Sequence, residues 1–232
     1  GDVAYAFNQY HLISAPVVDE DGRLVGVITI DDAMSVLDEE HEEDILRLAG
    51  VSDEASLSDS IIEAAKGRAT WLFVNLLTAI LASLVIDMFA ETIDQMVALA
   101  VLMPIVASMG GNAGTQTMTV TVRALATRDL TAQNAMRVVW REISVGALNG
   151  ILFGLVMAAV AALWFGVPLL AMVIGVAMVL TQIAAAIGGI IIPMALDRFG
   201  VDPALASGPF VTTVTDVVGF FAFLGLSATV LL

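Results

Sequence analysis

Cysteine is missing from this sequence altogether, which excludes disulfide staples and thiolate metal centres and leaves the redox compartment open. Basic residues are scarce. Nine Lys and Arg stand against 24 Asp and Glu, and so acidic a chain repels nucleic acid and attracts cations. Residues 1–10 have neither the basic n-region nor the apolar stretch of a secretory leader. Also lacking are a Walker loop, an HExxH motif and a paired nucleophile and base, so an enzyme is not expected. His11 and His41 have no partner at ligand spacing and read as surface histidines, and the 11 Met are scattered without forming a metal-binding chain.

What is there instead is apolar. Hydrophobic residues make up 59% of the chain and charged ones 14%, with a mean hydropathy of +0.92, more than a soluble core needs. The reading is a membrane protein. Charge divides the chain in two: residues 1–66 hold 16 acids and 3 Lys or Arg, whereas residues 67–232 hold 8 acids and 6 Arg. In the second part five segments, 70–89, 96–124, 143–165, 169–196 and 209–232, are long enough to cross a hydrocarbon core of about 30 Å. The second contains Pro104 and then the polar, glycine-rich "SMGGNAGTQTMTVT", and is expected to be a broken or kinked helix. Lys66, Arg68, Arg123, Arg128, Arg137, Arg141 and Arg198 all fall on one side of the five spans, and the opposite loops have none. That side is expected to be cytoplasmic, which puts the N-terminal segment inside and Leu232 outside.

Residues 1–48 have mixed α/β character: two apolar runs flank a turn at Asp21 and Gly22, followed by a helix capped by Asp31 or Asp32. Two strands with flanking helices offer little core, so the segment is expected to have lost N-terminal sequence or to lean on a partner. An acidic run at 38–44 leads into a connecting helix or linker, 49–68, ahead of a membrane domain at 69–232. The plain reading of the run is a solvated helix face. In the last span a single carboxylate, Asp216, is stranded among apolar and weakly polar residues. An intramembrane Asp costs about 2.5 to 3.5 kcal/mol on insertion scales, so it is expected to face water. No Lys or Arg lies between Arg198 and Leu232 to pair with it. Gly146, Gly150 and Gly154, four apart and without polar companions, read as helix packing.

Two stretches carry a resemblance. "PVVDEDGRLVGVITIDDAMSVL" resembles the second half of a CBS domain. "ASMGGNAGTQTMTVTVRALATRDL" and "GVDPALASGPFVTTVTDVVGFF" are similar to the membrane domain of the MgtE family of magnesium channels. The likeness runs over nearly the whole chain, and its most specific pieces are "GGNAGTQ", "RALATRDL", "GVDPALASGP" and "TDVVG". It implies a mainly α, polytopic homodimer in the lipid bilayer of the cytoplasmic membrane, with five membrane helices per chain behind a partial α/β CBS segment. It also implies a Mg2+-selective pore between subunits, closed from the cytosol by high Mg2+. The family's N-terminal domain and first CBS unit do not precede Gly1, so weakened closure is expected. Gly208 stands where the family pattern leads one to expect Asn.

Read with the family, Asp216 is the candidate pore carboxylate, contacting Mg2+ through water, because this ion dehydrates reluctantly and suits few carboxylates with retained waters. Thr212 and Thr213, one turn earlier, add hydroxyl oxygens. Gly111, Asn112 and Gln116 offer backbone and amide oxygens on a second wall, for which freed carbonyls at membrane depth would serve. Oxygen ligands alone admit Mn2+, Co2+ and Ni2+ as well, and the resemblance is what selects Mg2+. Regulatory Mg2+ candidates are Glu39, Glu42, Glu43, Asp44 and Glu63, with Asp53, Glu54 and Asp59 near them in the connector. Thr29 and Asp31 resemble the CBS nucleotide motif and are candidates for ATP. Two other classes compete. A secondary divalent-cation transporter normally shows internal repeats, which five spans here lack; a membrane-anchored CBS sensor has no need of "GGNAGTQ" or Asp216.

Overall fold

A computed structural model of the chain describes residues 1–52, 55, 58–131 and 133–231. It resolves into two compact units, Gly1–Gly67 and Arg68–Leu232. In the first, helix α1 (Asp2–Tyr10) precedes strands β1 (Ser14–Val18) and β2 (Leu24–Thr29) and helix α2 (Ile30–Leu48). The strands pair antiparallel with Ser14 opposite Thr29 and Val17 opposite Gly26. The turn forms where the sequence places it. Asp19 Oδ1 accepts from the N–H groups of Asp21 and Arg23 at 3.0 and 2.8 Å, and Gly22 takes φ +78°, which a side chain would resist. The core is small: Ala4, Phe7 and Ala33, with Leu12, Ala15, Ile28, Ile30 and Leu37 against them.

The start of α2 corrects one expectation. The cap is Thr29, not Asp31 or Asp32: Asp32 occupies the third helical position and its carboxylate accepts from the Thr29 hydroxyl at 2.6 Å and the Thr29 N–H at 2.9 Å. This reciprocal box satisfies donors that the first helical turn otherwise leaves open. The hydroxyl, and after it the N–H, hold the Asp32 carboxyl below its ordinary range.

The five long helices are α3 (Ile61–Asp87), α5 (Ala98–Ala126), α6 (Ala135–Phe165), α7 (Pro168–Arg198) and α8 (Pro203–Val230), with a short α4 (Ala90–Gln95) between the first two. Each is long and apolar enough to cross a membrane. All begin or end a few residues beyond the apolar segments, because polar residues such as Glu63, Arg137 and Asp197 continue the helix past the hydrocarbon. Helix α7 is the hub. It packs along α5, α6 and α8, and α5 also packs on α8. Its buried face, including Val173, Ile174, Ala177 and Met178, meets Leu99, Leu102, Val106, Phe223 and Leu224 in one cluster. Helix α3 is the barest, with Leu72, Phe73, Leu76, Leu77, Ile80, Leu81 and Leu84 all exposed, a surface suited to lipid rather than water.

Glycine decides how closely the helices approach. A Cβ at Gly146 would lie 2.8 Å from the Gln182 carbonyl oxygen, one at Gly150 2.9 Å from Val179 Cα, and one at Gly154 2.7 Å from the Gly175 carbonyl oxygen. The three therefore let the backbones of α6 and α7 touch, as their spacing leads one to expect.

Candidate cation site on helices α5 and α8

Helix α5 is the main departure from expectation. It runs unbroken from Ala98 to Ala126, with Pro104 and the whole of "GGNAGTQ" inside it, so the backbone at Gly111 and its neighbours stays in the helical ladder and frees no carbonyls by unwinding. The glycines have another use. A Cβ at Gly110 would stand 2.5 Å from Thr181 Cγ2 and 3.4 Å from Thr215 Cβ; at Gly114 it would stand 2.7 Å from Val211 Cγ1 and 3.1 Å from Thr215 Cγ2. Close packing of α5 against α7 and α8 is what these positions need, and helix is compatible with it. Gly111, one residue on, has nothing within 4 Å of its would-be Cβ.

That contact holds α8 with Val211, Thr215 and Gly219 turned into the bundle, where all three are buried. The next stripe around the helix carries Gly208, Thr212 and Asp216, spaced four apart and half-buried, with Thr213 beside it. Asp216 makes no hydrogen bond or ion pair with any described residue. Thr212 donates to the carbonyls of Gly208 and Pro209 at 3.0 and 3.1 Å, and Thr213 donates to Pro209 at 2.5 Å. Both hydroxyl protons are thus turned onto the helix, which leaves the oxygens as acceptors. At Gly208 a Cβ would meet nothing within 4 Å.

The remaining candidates separate. Asn112 and Gln116 are exposed on α5; the Asn112 amide reaches Ser108 Oγ at 3.5 Å. Gln116 lines a cleft between α5, α6 and α7 rather than the α8 stripe. Glu142 and Gln182, both buried, lie in the same cleft and were not foreseen. Glu142 sits beside Arg141 and passes for an interface charge, and the one cue to Gln182 is a polar pair, "TQ", in an otherwise apolar span.

In the first unit, Glu39, Glu42, Glu43 and Asp44 all lie on α2, where Glu43 pairs with Arg47 at 2.9 Å. Glu63 caps the start of α3, accepting from the Ser60 hydroxyl at 2.6 Å and the Ser60 N–H at 3.1 Å. Thr29 is engaged with Asp32 and Asp31 is exposed. Asp53 and Glu54 lie outside the described residues. Among the described residues no three His or acidic side chains converge as metal ligands.

Residues 103–226, more than half of the chain, match the MgtE family, described as a divalent cation transporter, and residues 1–39 match the CBS domain. The chain is 38% identical over 232 residues to the magnesium transporter MgtE of Thermus thermophilus, covering 99% of this chain and 51% of that protein. It is 33% identical over 226 residues to the magnesium transporter MgtE of Bacillus subtilis, covering 97% and 50%. The chain spans about half the length of these curated relatives. With its five long helices and the matched stretch running from within α5 to within α8, the chain belongs to the MgtE family of divalent cation transporters.

Proposed function

We propose that this chain conducts Mg2+ across the cytoplasmic membrane as a channel, two copies meeting so that their α8 stripes face one water-filled path. The observation that carries it is Asp216. A carboxylate that is half-buried in an apolar helix and has no partner among the described residues is costly unless water and a cation reach it. Two copies related by a two-fold axis bring two carboxylates to one divalent ion. Mg2+ keeps most of its waters under these conditions, with the carboxylates and the acceptor oxygens of Thr212 and Thr213 receiving hydrogen bonds from them. The relatives' names as magnesium transporters support the choice of ion.

Regulation follows from charge. The acidic helix α2 and the connector lead directly into α3, which carries Arg68 ahead of its apolar stretch, so cations gathered by these acids bear on the membrane domain through continuous chain. The N-terminal unit lies on the cytosolic side in this reading, and the protein is not an enzyme. An adenosine ligand at Thr29 and Asp31 is no part of the proposal.

The test is Mg2+ influx into reconstituted vesicles for the parent, Asp216→Ala and Asp216→Asn. Loss or strong reduction of flux in the Ala variant, and partial flux with poorer discrimination among divalent ions in the Asn variant, are expected. Parental flux in the Ala variant rejects the pore assignment.

A further inference from the structure

A polar cleft opens beside α6 where the apolar span begins. Helices α5 and α6 hardly touch, since each packs on α7, and the wedge between them is a cavity of about 230 Å³. Gln116 and Thr117 line it from α5, Arg141, Glu142 and Asn149 from α6, and Gln182 from α7. Its lining carries one charge of each sign. The two charged residues are neighbours in sequence, so on a helix they point about 100° apart and do not face one another. Their ion pair is a single contact, Arg141 Nη1 to Glu142 Oε1 at 3.4 Å, longer than the about 2.7 to 2.9 Å of a close charge-assisted bond. The Glu142 side chain is 10% exposed and that of Arg141 70% exposed. A cation at the mouth and an anion on the wall, at one depth, give the cleft a direction.

Depth and rim say from where it is reached. The uncharged stretch 143–165 of α6 starts directly after Glu142, and on α5 Arg123 follows the lining residue Val120 by less than one turn. The charged pair thus stands at the edge of the hydrocarbon. Val120 and Val145 line the cleft and are exposed, so the rim is apolar while the wall is polar. A water-borne solute gains nothing from such a rim; a lipid, with a polar head on apolar chains, matches both.

We propose that this cleft binds a zwitterionic phospholipid by its headgroup, with a primary ammonium inside and the phosphate at the mouth. The planar fork of N–H donors on Arg141 suits a phosphodiester. The ammonium has three donors and no acceptor, and the wall offers the Glu142 carboxylate and the amide oxygens of Gln116, Asn149 and Gln182 to receive them. A quaternary ammonium has no donor to give. Size agrees: two methylenes and an ammonium take about the room of three waters, about 90 Å³ at about 30 Å³ each, which the cavity admits with water to spare. One positive and one negative side chain leave no net charge, which fits a zwitterion and neither a bare cation nor an anionic head. The headgroup bridges α5 and α6, which hardly meet otherwise. Helix α8 contributes nothing to the lining, so the site is separate from the Asp216 stripe and does not rest on the pore assignment.

The experiment compares phosphatidylethanolamine, phosphatidylcholine and phosphatidylglycerol of identical acyl chains, titrated into the delipidated full chain and counted by native mass spectrometry. Losing hydrogen bonds to a charged group weakens binding about 10-fold or more, so the parent should hold the ethanolamine lipid about 10-fold more tightly than the choline lipid, and more tightly than the glycerol lipid, which has no amine. Glu142→Gln should erase that preference, and Arg141→Gln should weaken both zwitterionic lipids alike. A second measurement leaves Glu142 in place. The chain has no cysteine, so Val145→Cys carries a single fluorophore at the mouth, and ethanolamine lipid with a nitroxide near the head of one acyl chain should quench it more than the choline lipid does. Equal binding or equal quenching by the two lipids overturns the proposal. So do glycerol lipid bound as tightly as ethanolamine lipid, a preference unchanged in folded Glu142→Gln, and parental binding of both zwitterionic lipids to Arg141→Gln.

Discussion

Replacing Gly154 by Ala tests the α6–α7 seam with one carbon atom. The new Cβ would lie 2.7 Å from the Gly175 carbonyl oxygen, where ordinary contact begins at 3.4 Å, so the helices must part by about 0.7 Å locally or the backbone must bend. Neither is easy. The obstructing atom is main chain, and the neighbouring contacts at Gly146 and Gly150 are equally close, so parting at one level strains the others. Overpacking of this kind costs about 1 to 3 kcal/mol, against which Ala regains roughly 0.5 to 1 kcal/mol over Gly in a helix. The net expectation is a loss of about 0.5 to 2 kcal/mol, or roughly a 2- to 30-fold change in the folding equilibrium. Gly111→Ala is the control, since its Cβ meets nothing within 4 Å; the propensity gain alone then applies, about 0.5 to 1 kcal/mol of stabilisation. Equilibrium unfolding in mixed detergent and dodecyl sulfate micelles reads both. A Gly154→Ala protein as stable as the parent, or a Gly111→Ala protein destabilised as much as it, would refute the reasoning that backbone contact, and not glycine's flexibility, explains the seam.

If the conducting path lies between two chains, flux per chain should collapse once vesicles hold on average less than two chains; flux that stays proportional to single chains at high dilution contradicts the dimer. Thr29→Ala should destabilise α2 at neutral pH and raise the Asp32 carboxyl toward its ordinary 3.8. The carboxylate's share of the parent's advantage is full above that value and is lost as pH falls through the lower folded value, whereas the Asp32 N–H to Thr29 Oγ half of the box does not titrate; the gap between the two proteins should therefore narrow in acid, and a gap of unchanged size there removes the Asp32 carboxylate from the explanation. Neutralising Glu42, Glu43 and Asp44 together should move closure to higher internal Mg2+ in excised patches. Moving a gate from 1:99 to 99:1 takes about 5.5 kcal/mol of preference between states, which several weak acidic sites can supply together. An unshifted Mg2+ response would leave α2 a solvated face.

The isolation of Asp216 was legible from the amino-acid order because it is a statement about one helix: an acid with no base for 17 residues before it and none after it. The five spans were legible for the same reason, since a helix must satisfy its own backbone and cover its length with apolar side chains whatever its neighbours are. So was the hairpin of β1 and β2, whose turn residues act locally. The glycines of α5 were not, because a missing side chain has two opposite uses, loosening a backbone or admitting another one, and what stands opposite decides between them. Here Thr181, Val211 and Thr215 stand opposite, and the helix stays whole. Capping misled in a smaller way: Thr29, Asp31 and Asp32 are all able to cap, and only the path of β2 into α2 made Thr29 the residue at the boundary. The cleft was beyond reach. Gln116, Glu142 and Gln182 are separated by 26 and 40 residues, sit on three helices, and acquire a common chemistry only because the glycine seam draws α7 against α6 while Gly189 lets it meet α5, where a Cβ would be 2.8 Å from the Gly114 carbonyl oxygen. Properties carried by a single element follow from the order of residues; properties shared between elements wait for the packing that brings their side chains to one place.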